Sequence, residues 1–206
     1  MATQAPSKLI TIEEFERDYA DKRYEYVAGR LEPMGPVEYD ASGEEIVVPP
    51  KLKHGIVIGQ LNVLITNYLR EHPIGVVLGA ETGFVMRQDP LEIRAADVAY
   101  VTFERLQTSQ ESRGWLPFPP DLAVEVVSDY DLAAKVKAKA QRYMANGTKL
   151  LWIAYPDERS IEVYQPGQAI KTLSGDDILD GGNVLPGFST AVKAIFAPLD
   201  AIKGED

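Results

Sequence analysis

Two acids stand in segments that otherwise read as short apolar strands. Glu125 lies in Leu122-Ala-Val-Glu-Val-Val127, a near-continuous apolar run of the kind buried on both faces of a sheet. A carboxylate inside such a run is costly to bury without a partner or a metal ion. Asp97 repeats the pattern in Arg94-Ala-Ala-Asp-Val-Ala-Tyr-Val101, where strand propensity alone would not select an acid. Two carboxylates on neighbouring strands would offer hard oxygen ligands to magnesium or manganese and leave positions for water and a phosphate. For either acid alone, a strand-end carboxylate that reaches water or pairs with a structural arginine is an equally good account. Lys135, Lys139 and Tyr143 follow at i, i+4 and i+8, which puts them on one helix face and lets a lysine reach the same ion.

The elements that must position these residues can be read around them. Thr11-Ile-Glu-Glu14 has capping-box spacing, and Ile12, Phe15 and Tyr19 share a face, predicting a helix over about 11–20. Tyr24–Val27 and Arg30–Met34, separated by Ala28-Gly29, predict a hairpin, and residues 37–50 a second, peripheral one. Dense apolar positions from His54 to Arg70 predict a mostly buried helix. Val76–Leu78 and Gly83–Met86 read as consecutive strands joined by a short turn, with the sheet continuing through Ala95 to Val101. The polar, proline-containing stretch 107–120 reads as a surface loop, either a substrate-side flap or a connector whose Trp115 and Phe118 cover the core. Leu122–Val127 is the central strand. A helix follows it, started by Ser128, Asp129 or Asp131 and stopped by Gly147. Lys149–Tyr155 and Ser160–Tyr164 form a strand pair across Pro156–Arg159; the tail holds turns at Gly181-Gly182 and Pro186-Gly187 and a small packing helix ending near Phe196, before a polar, frayed end. Helix-linked central strands flanked by hairpins indicate an α/β or α+β fold in one domain, residues 1–206.

Composition narrows the chemistry. The chain has 206 residues and no cysteine, which excludes disulfides, thiolate nucleophiles and cysteine-ligated zinc. Neither a signal-like start nor a membrane-length apolar run is present, so a cytoplasmic location is expected. The net charge of −10 disfavours non-specific attraction to a polyanion, so nucleic-acid binding would have to be local. Basic residues do cluster, at Lys51, Lys53 and His54 and again at Lys135, Lys137, Lys139, Arg142 and Lys149, although a solvated helix face is the plain reading of both clusters. His54, at a helix start, could contact a phosphate or cap the helix; His72 reads as loop surface.

The ordered pieces Arg23-Tyr-Glu-Tyr-Val-Ala-Gly29, His54, Ala96-Asp-Val-Ala-Tyr-Val101, Asp121-Leu-Ala-Val-Glu-Val-Val-Ser128, Lys139-Ala-Gln-Arg-Tyr143, Asn146-Gly147, Leu151-Trp-Ile153 and Leu185-Pro-Gly-Phe188 together resemble the PD-(D/E)XK nuclease superfamily, and more closely its Uma2 family of restriction endonuclease-like proteins. The resemblance runs from about residue 10 to 197. It implies a restriction endonuclease-like core with a mixed central sheet, Asp97 and Glu125 as ligands of Mg2+ or Mn2+, and a lysine that orients or stabilises the nucleophile. In the superfamily's simplest pattern that lysine lies two residues after the glutamate, where this chain has Val127. The Uma2 pattern moves it to the next helix, at Lys139, with Lys135 the competing position one turn earlier. Glu25 matches an acid of the family pattern, as a further ligand or a supporting acceptor, unless it is an ordinary exposed strand glutamate. Tyr143 is spaced to support Lys139, although an aromatic there more often packs the core.

These readings imply a metal-dependent endonuclease acting on DNA. The alternatives are a catalytically degenerate nuclease fold that binds nucleic acid or protein, favoured by the negative charge and the displaced lysine, and a phosphoesterase acting on a small substrate. A homodimer would provide two sites for two strands.

Overall fold

The computed structural model describes residues 9–109 and 114–202. The central six-stranded sheet has the order β12-β11-β10-β9-β8-β5, built from Gly75–Leu78 (β5), Val98–Thr102 (β8), Leu122–Val126 (β9), Leu150–Tyr155 (β10), Ser160–Tyr164 (β11) and Lys171–Ser174 (β12). Only β9 and β10 pair in parallel, which makes the sheet mixed, as expected. A second sheet, β2-β1-β7-β6, is formed by Tyr24–Val27 (β1), Arg30–Pro33 (β2), Phe84–Gln88 (β6) and Leu91–Arg94 (β7). Two hairpins complete the strands: Val37–Tyr39 (β3) with Glu45–Val47 (β4), and Ile178–Gly181 (β13) with Leu185–Ala191 (β14).

Strand alternation divides the core into two layers. Val98 and Tyr100, Leu122, Val124 and Val126, and Leu150, Trp152 and Ala154 face the helices Leu52–Glu71 (α2) and Val192–Ile202 (α5). The intervening Ala99, Val101, Ala123, Leu151 and Ile153 face the helix Ala133–Ala145 (α4) through Ala140 and Tyr143. Helix α2 buries His54, Val57, Leu61, Ile65 and Leu69, the 3–4 spacing of a helix laid along a sheet. The first helix, Ile12–Asp18 (α1), carries the expected capping box between Thr11 and Glu14 and packs Phe15 on the second sheet. The β1–β2 turn places both Ala28 (φ 50°) and Gly29 (φ 81°) in the left-handed region, as a two-residue hairpin loop requires.

Several expectations are corrected. β5 and β6 are consecutive strands joined by a short turn, as expected, but they do not continue one sheet: β5 pairs with β8 and β6 with β7, so the turn carries the chain from one sheet to the other. The run Ala95 to Val101 is not one strand: it breaks after β7, and Asp97 lies in the break, one residue before β8. Helix α4 begins later than the polar cluster predicts, because Asp131 accepts from the backbone N–H and hydroxyl of Ser128 and leaves Leu132 as an N-cap without a side-chain bond. The tail contains β12, β13 and β14, and Pro186-Gly187 lies inside β14, not in a turn. Residues 107–120 are not all loop, since a short helix spans Phe103–Thr108 (α3); residues 110–113 lie outside the described residues, as does the tail end after 202. Trp115 meets Phe15 in a tilted ring contact and Phe118 lies under the Arg105 guanidinium, so these aromatics cover the core as the connector reading expects. Among the described residues, no helix is long and apolar enough to cross a membrane.

Candidate active site

The alternation that buries Leu122, Val124 and Val126 toward α2 turns Glu125 to the opposite face, toward α4. Helix α4 returns over that face with Lys139 and Tyr143 one turn apart. Lys139 Nζ donates to Glu125 Oε2 at 2.8 Å and Tyr143 OH donates to Glu125 Oε1 at 2.6 Å. Both oxygens of the glutamate are therefore held by the helix residues whose spacing drew attention in the sequence. Ala123 and Ala140, small and fully buried, let the helix approach the sheet closely enough for these bonds.

Asp97 reaches the same place from the neighbouring strand. β8 and β9 are antiparallel with Val98 opposite Val124, so the residue before Val98 lies across from Glu125. Asp97 Oδ2 accepts from the Val126 backbone N–H at 2.8 Å and lies 3.3 Å from His54 Nε2. His54 is buried in the first turn of α2 and acts as a partner of Asp97, not as a helix cap; its Nδ1 has no hydrogen-bond partner among the described residues.

Glu25 completes the cluster. It is 5 % exposed, which removes the surface-glutamate reading. Glu25 Oε1 accepts from the Ala95 backbone N–H at 3.2 Å and lies 3.5 Å from Lys139 Nζ, while Oε2 is gripped by Arg94. Arg94, only 2 % exposed, spreads its guanidinium over three acids: besides Glu25 it donates to Glu32 at 2.9 Å and to Glu92 at 2.6 Å. Glu32 is shared with Arg142 of α4, also at 2.9 Å. Lys135 lies on the rim, exposed and without an ion pair among the described residues, so the geometry brings Lys139 and not Lys135 to the acids. His72 is exposed at the end of α2, stacked on Tyr68.

Electrostatics set these groups apart from ordinary surface pairs. Burial pushes the Glu125 carboxyl up; Lys139 opposes this, but Asp97 and Glu25 add to it and the pKa rises to about 7. Burial disfavours the charged form of Lys139, yet the three surrounding carboxylates outweigh it and hold the ammonium above its usual range. Burial also acts against ionised Asp97, but the His54 hydrogen bond, Lys139 and the Val126 N–H lower its pKa. Burial and the adjacent Glu125 raise the Tyr143 phenol, so it stays a neutral donor.

Glu25, Glu32, Glu92 and Glu125 thus pair with two cations, Arg94 and Lys139, and Asp97 pairs with His54. Asp97, one residue before β8, and Glu125 in β9 are hard oxygen donors of the kind a divalent cation takes. Among the described residues no group of three or more His, Asp or Glu side chains is arranged to hold a metal ion. A cation here would rest on Asp97 and Glu125 and draw its other ligands from water or substrate oxygens, the usual habit of magnesium. The cluster forms the floor of a cavity of about 860 Å3, lined by Glu25, His54, Asp97, Glu125, Lys135 and Lys139 among others.

Arg94, Glu32, Glu92 and Arg142 were not marked as site residues from the sequence. A signal was present. The predicted hairpin places Glu25 directly opposite Glu32, a like-charge cross-strand pair that needs a cation between its members, and Glu92 and Arg94 alternate onto one face of an apolar strand.

The chain matches the model of the Uma2 family, described as "Putative restriction endonuclease", over residues 11–193. It is similar to a crystal structure described as a "putative nuclease belonging to DUF820" from Anabaena variabilis ATCC 29413, with a TM-score of 0.66 and 20% identity over 91% of this chain and 98% of that one. At that identity the likeness shows a common fold. No curated protein matches the chain. A family match spanning the hairpin of Glu25, both acid-bearing strands and the helix of Lys139 is what identifies this chain: it belongs to the Uma2 family.

Proposed function

We propose that the chain is a divalent-metal-dependent endonuclease that hydrolyses phosphodiester bonds in DNA. One observation carries the reading: Asp97 and Glu125 meet across β8 and β9 at the floor of a cavity, with the Lys139 ammonium bonded to Glu125. The family description and the nuclease named in the similar structure support phosphodiester chemistry.

Asp97 and Glu125 are the residues that would hold Mg2+ or Mn2+. Bound there, such an ion would polarise the scissile phosphate and lower the pKa of a water molecule to near neutrality. Lys139, kept charged by its carboxylate neighbours, supplies a fixed cation for the negative charge that develops on the phosphate oxygens. Tyr143 holds the rotamer of Glu125, and His54 with the Val126 N–H holds that of Asp97. Glu25, anchored by Arg94, holds Lys139 from the other side. Hydrolysis adds one water across the P–O bond and leaves one strand end with a phosphate and the other with a hydroxyl.

The test is nicking of supercoiled plasmid with magnesium or manganese by wild type, Asp97→Asn, Glu125→Gln and Lys139→Ala. Each substitution is expected to lower the rate by about 100-fold or more. Wild-type rates in Asp97→Asn, or no cleavage by the wild type with either metal, would overturn the reading. A second reading, a binding module without catalysis, draws on the occupation of both Glu125 oxygens by Lys139 and Tyr143. Calorimetric titration with Mn2+ separates the two, because a catalytic site must take up the ion and lose it in Asp97→Asn.

A further inference from the structure

The two walls of the cavity differ in a way that bears on substrate form. One wall is β2 and the stretch from it to α2, which contributes Leu31, Pro33, Met34, Pro36, Val37 and Val48 around the paired acid Glu32. The other is α4 and the segment leading into it, which contributes Lys135, Lys139 and Arg142 with one acid, Asp131. The first wall is tied to the second near both of its ends: Glu32 pairs with Arg142 at 2.9 Å, and Lys51 pairs with Asp129 at 2.9 Å while lying over the Tyr130 ring. Chain segment 32–51, segment 129–142 and these two ion pairs form a closed circuit beside the cavity. The hairpin β3–β4 is braced from behind by Tyr24 OH on Glu45 and by Arg23 on the Val48 carbonyl, so the first wall is held in place.

From this we infer that the site accepts an unpaired DNA strand, such as a single strand, an overhang or a frayed end, in preference to a continuous duplex. This rests on the nuclease reading above and specifies its substrate. A duplex carries a phosphate backbone on both sides and needs cations on both walls, or a broad basic face, to bind. Here Arg94 is taken up by Glu25, Glu32 and Glu92, the lysines of the lining both lie on α4, and the chain as a whole carries −10, which repels flanking phosphates. One strand fits both walls at once: its phosphates face Lys135, the α4 cation of the lining without an ion pair among the described residues, and its unstacked bases lie against the proline, valine and methionine surface, a sequence-tolerant arrangement. The volume, about 860 Å3, lies near the top of the roughly 300–1,000 Å3 range of pockets that enclose a compact ligand. That holds a short stretch of strand and not a turn of double helix.

The experiment has two arms using the full-length wild-type protein. In the first, end-labelled single strand, blunt duplex of the same sequence, and duplex bearing an unpaired tail are incubated with Mg2+ or Mn2+. The single strand and the tail are expected to be cut at least about tenfold faster than the blunt duplex, with the cuts mapping to the unpaired part. In the second, fluorescence anisotropy in EDTA measures binding of the same three probes, with the single strand and the tailed duplex expected to bind about tenfold more tightly than the blunt one. Blunt duplex cut or bound as well as the single strand overturns the inference and leaves the nuclease reading standing. Absence of cleavage on every probe defeats the nuclease reading, and the binding arm then decides strand preference by itself.

Discussion

Replacing Arg94 by methionine removes the cation that touches Glu25, Glu32 and Glu92 together. Arg94 is 2 % exposed, and Glu25 and Glu92 are 5 % and 2 % exposed, so the acids left behind have little water to turn to. Removing one partner of a buried ion pair costs about 3–5 kcal/mol, because the remaining charge stays desolvated. Glu25 keeps the Ala95 N–H and Lys139, and Glu92 keeps a longer contact to the half-exposed Arg87 at 3.7 Å, which argues against a much larger sum over the two. At about 2–4 °C per kcal/mol for a protein of this size, the melting temperature should fall by roughly 6–20 °C. The assay is thermal melting by circular dichroism at pH 7 for wild type, Arg94→Met, Arg94→Lys and the double variant Arg94→Met/Glu25→Gln. Lysine restores a charge but not the three-way fork and should fall between wild type and methionine. The double variant should melt above Arg94→Met, since it no longer buries an unpaired Glu25. As a contrast, Asp18→Ala breaks a pair whose side chains are 67 % and 44 % exposed and should leave the melting temperature nearly unchanged. An Arg94→Met protein that melts within about 2 °C of wild type would refute the claim that this arginine holds the acids under the site.

Protonation of Glu125 should oppose metal uptake: with its folded pKa near 7 against an ordinary 4.5, Mn2+ affinity measured by calorimetry should rise by up to about tenfold per pH unit below 7 and level off above it. The same shift fixes a sign for the metal-free protein, because between about 4.5 and 7 the folded chain holds more of this proton than the unfolded one, so Glu125's contribution to stability falls as pH rises through that window. Asp121 acts the other way. Burial disfavours its ionised form, but Lys149, the Thr102 N–H and Arg105 hold its carboxyl below the ordinary 3.8, so its contribution is complete above that value and is lost as pH falls through the folded pKa; urea titrations of wild type and Asp121→Asn should converge toward the acid end. Gly75→Ala would drive a methyl group into the Val101 carbonyl and the Tyr100 ring, and chemical denaturation should show a loss of about 1–3 kcal/mol. Lys51→Ala opens the circuit beside the cavity by breaking a pair with half-exposed partners, so it should leave melting nearly unchanged while narrowing the gap between single-strand and duplex binding in anisotropy.

Residues whose role depends on neighbours close in sequence were legible before any fold was known. The Thr11–Glu14 capping box, the Ala28-Gly29 turn and the apolar run of β9 each satisfy a local rule, and each appears where that rule puts it. Asp97 and Glu125 were legible for a related reason: burying a carboxylate in an apolar segment is costly wherever the strand lies, so its presence marks a special environment. Choosing Lys139 over Lys135 needed the family pattern, because both lie on the same helix face and spacing cannot rank them.

Strand partnership was different. Nothing local distinguishes a turn that closes a hairpin from one that carries the chain to another sheet, so the separation of β5 from β6 became visible only when β5 found β8 and β6 found β7. The break that frees Asp97 from its strand has the same origin, since β7 and β8 serve two sheets and the residues between them must change direction. The sequence by itself determined which residue types could do chemistry here: two acids in apolar surroundings, a lysine-bearing helix after the second, and no thiol. The tertiary structure alone decided how they are held. Pairing β8 with β9 sets Asp97 beside Glu125, the return of α4 delivers Lys139 and Tyr143 to that glutamate, and the second sheet brings Arg94 under Glu25, because contacts across many tens of residues depend on register and packing that no short stretch of chain encodes.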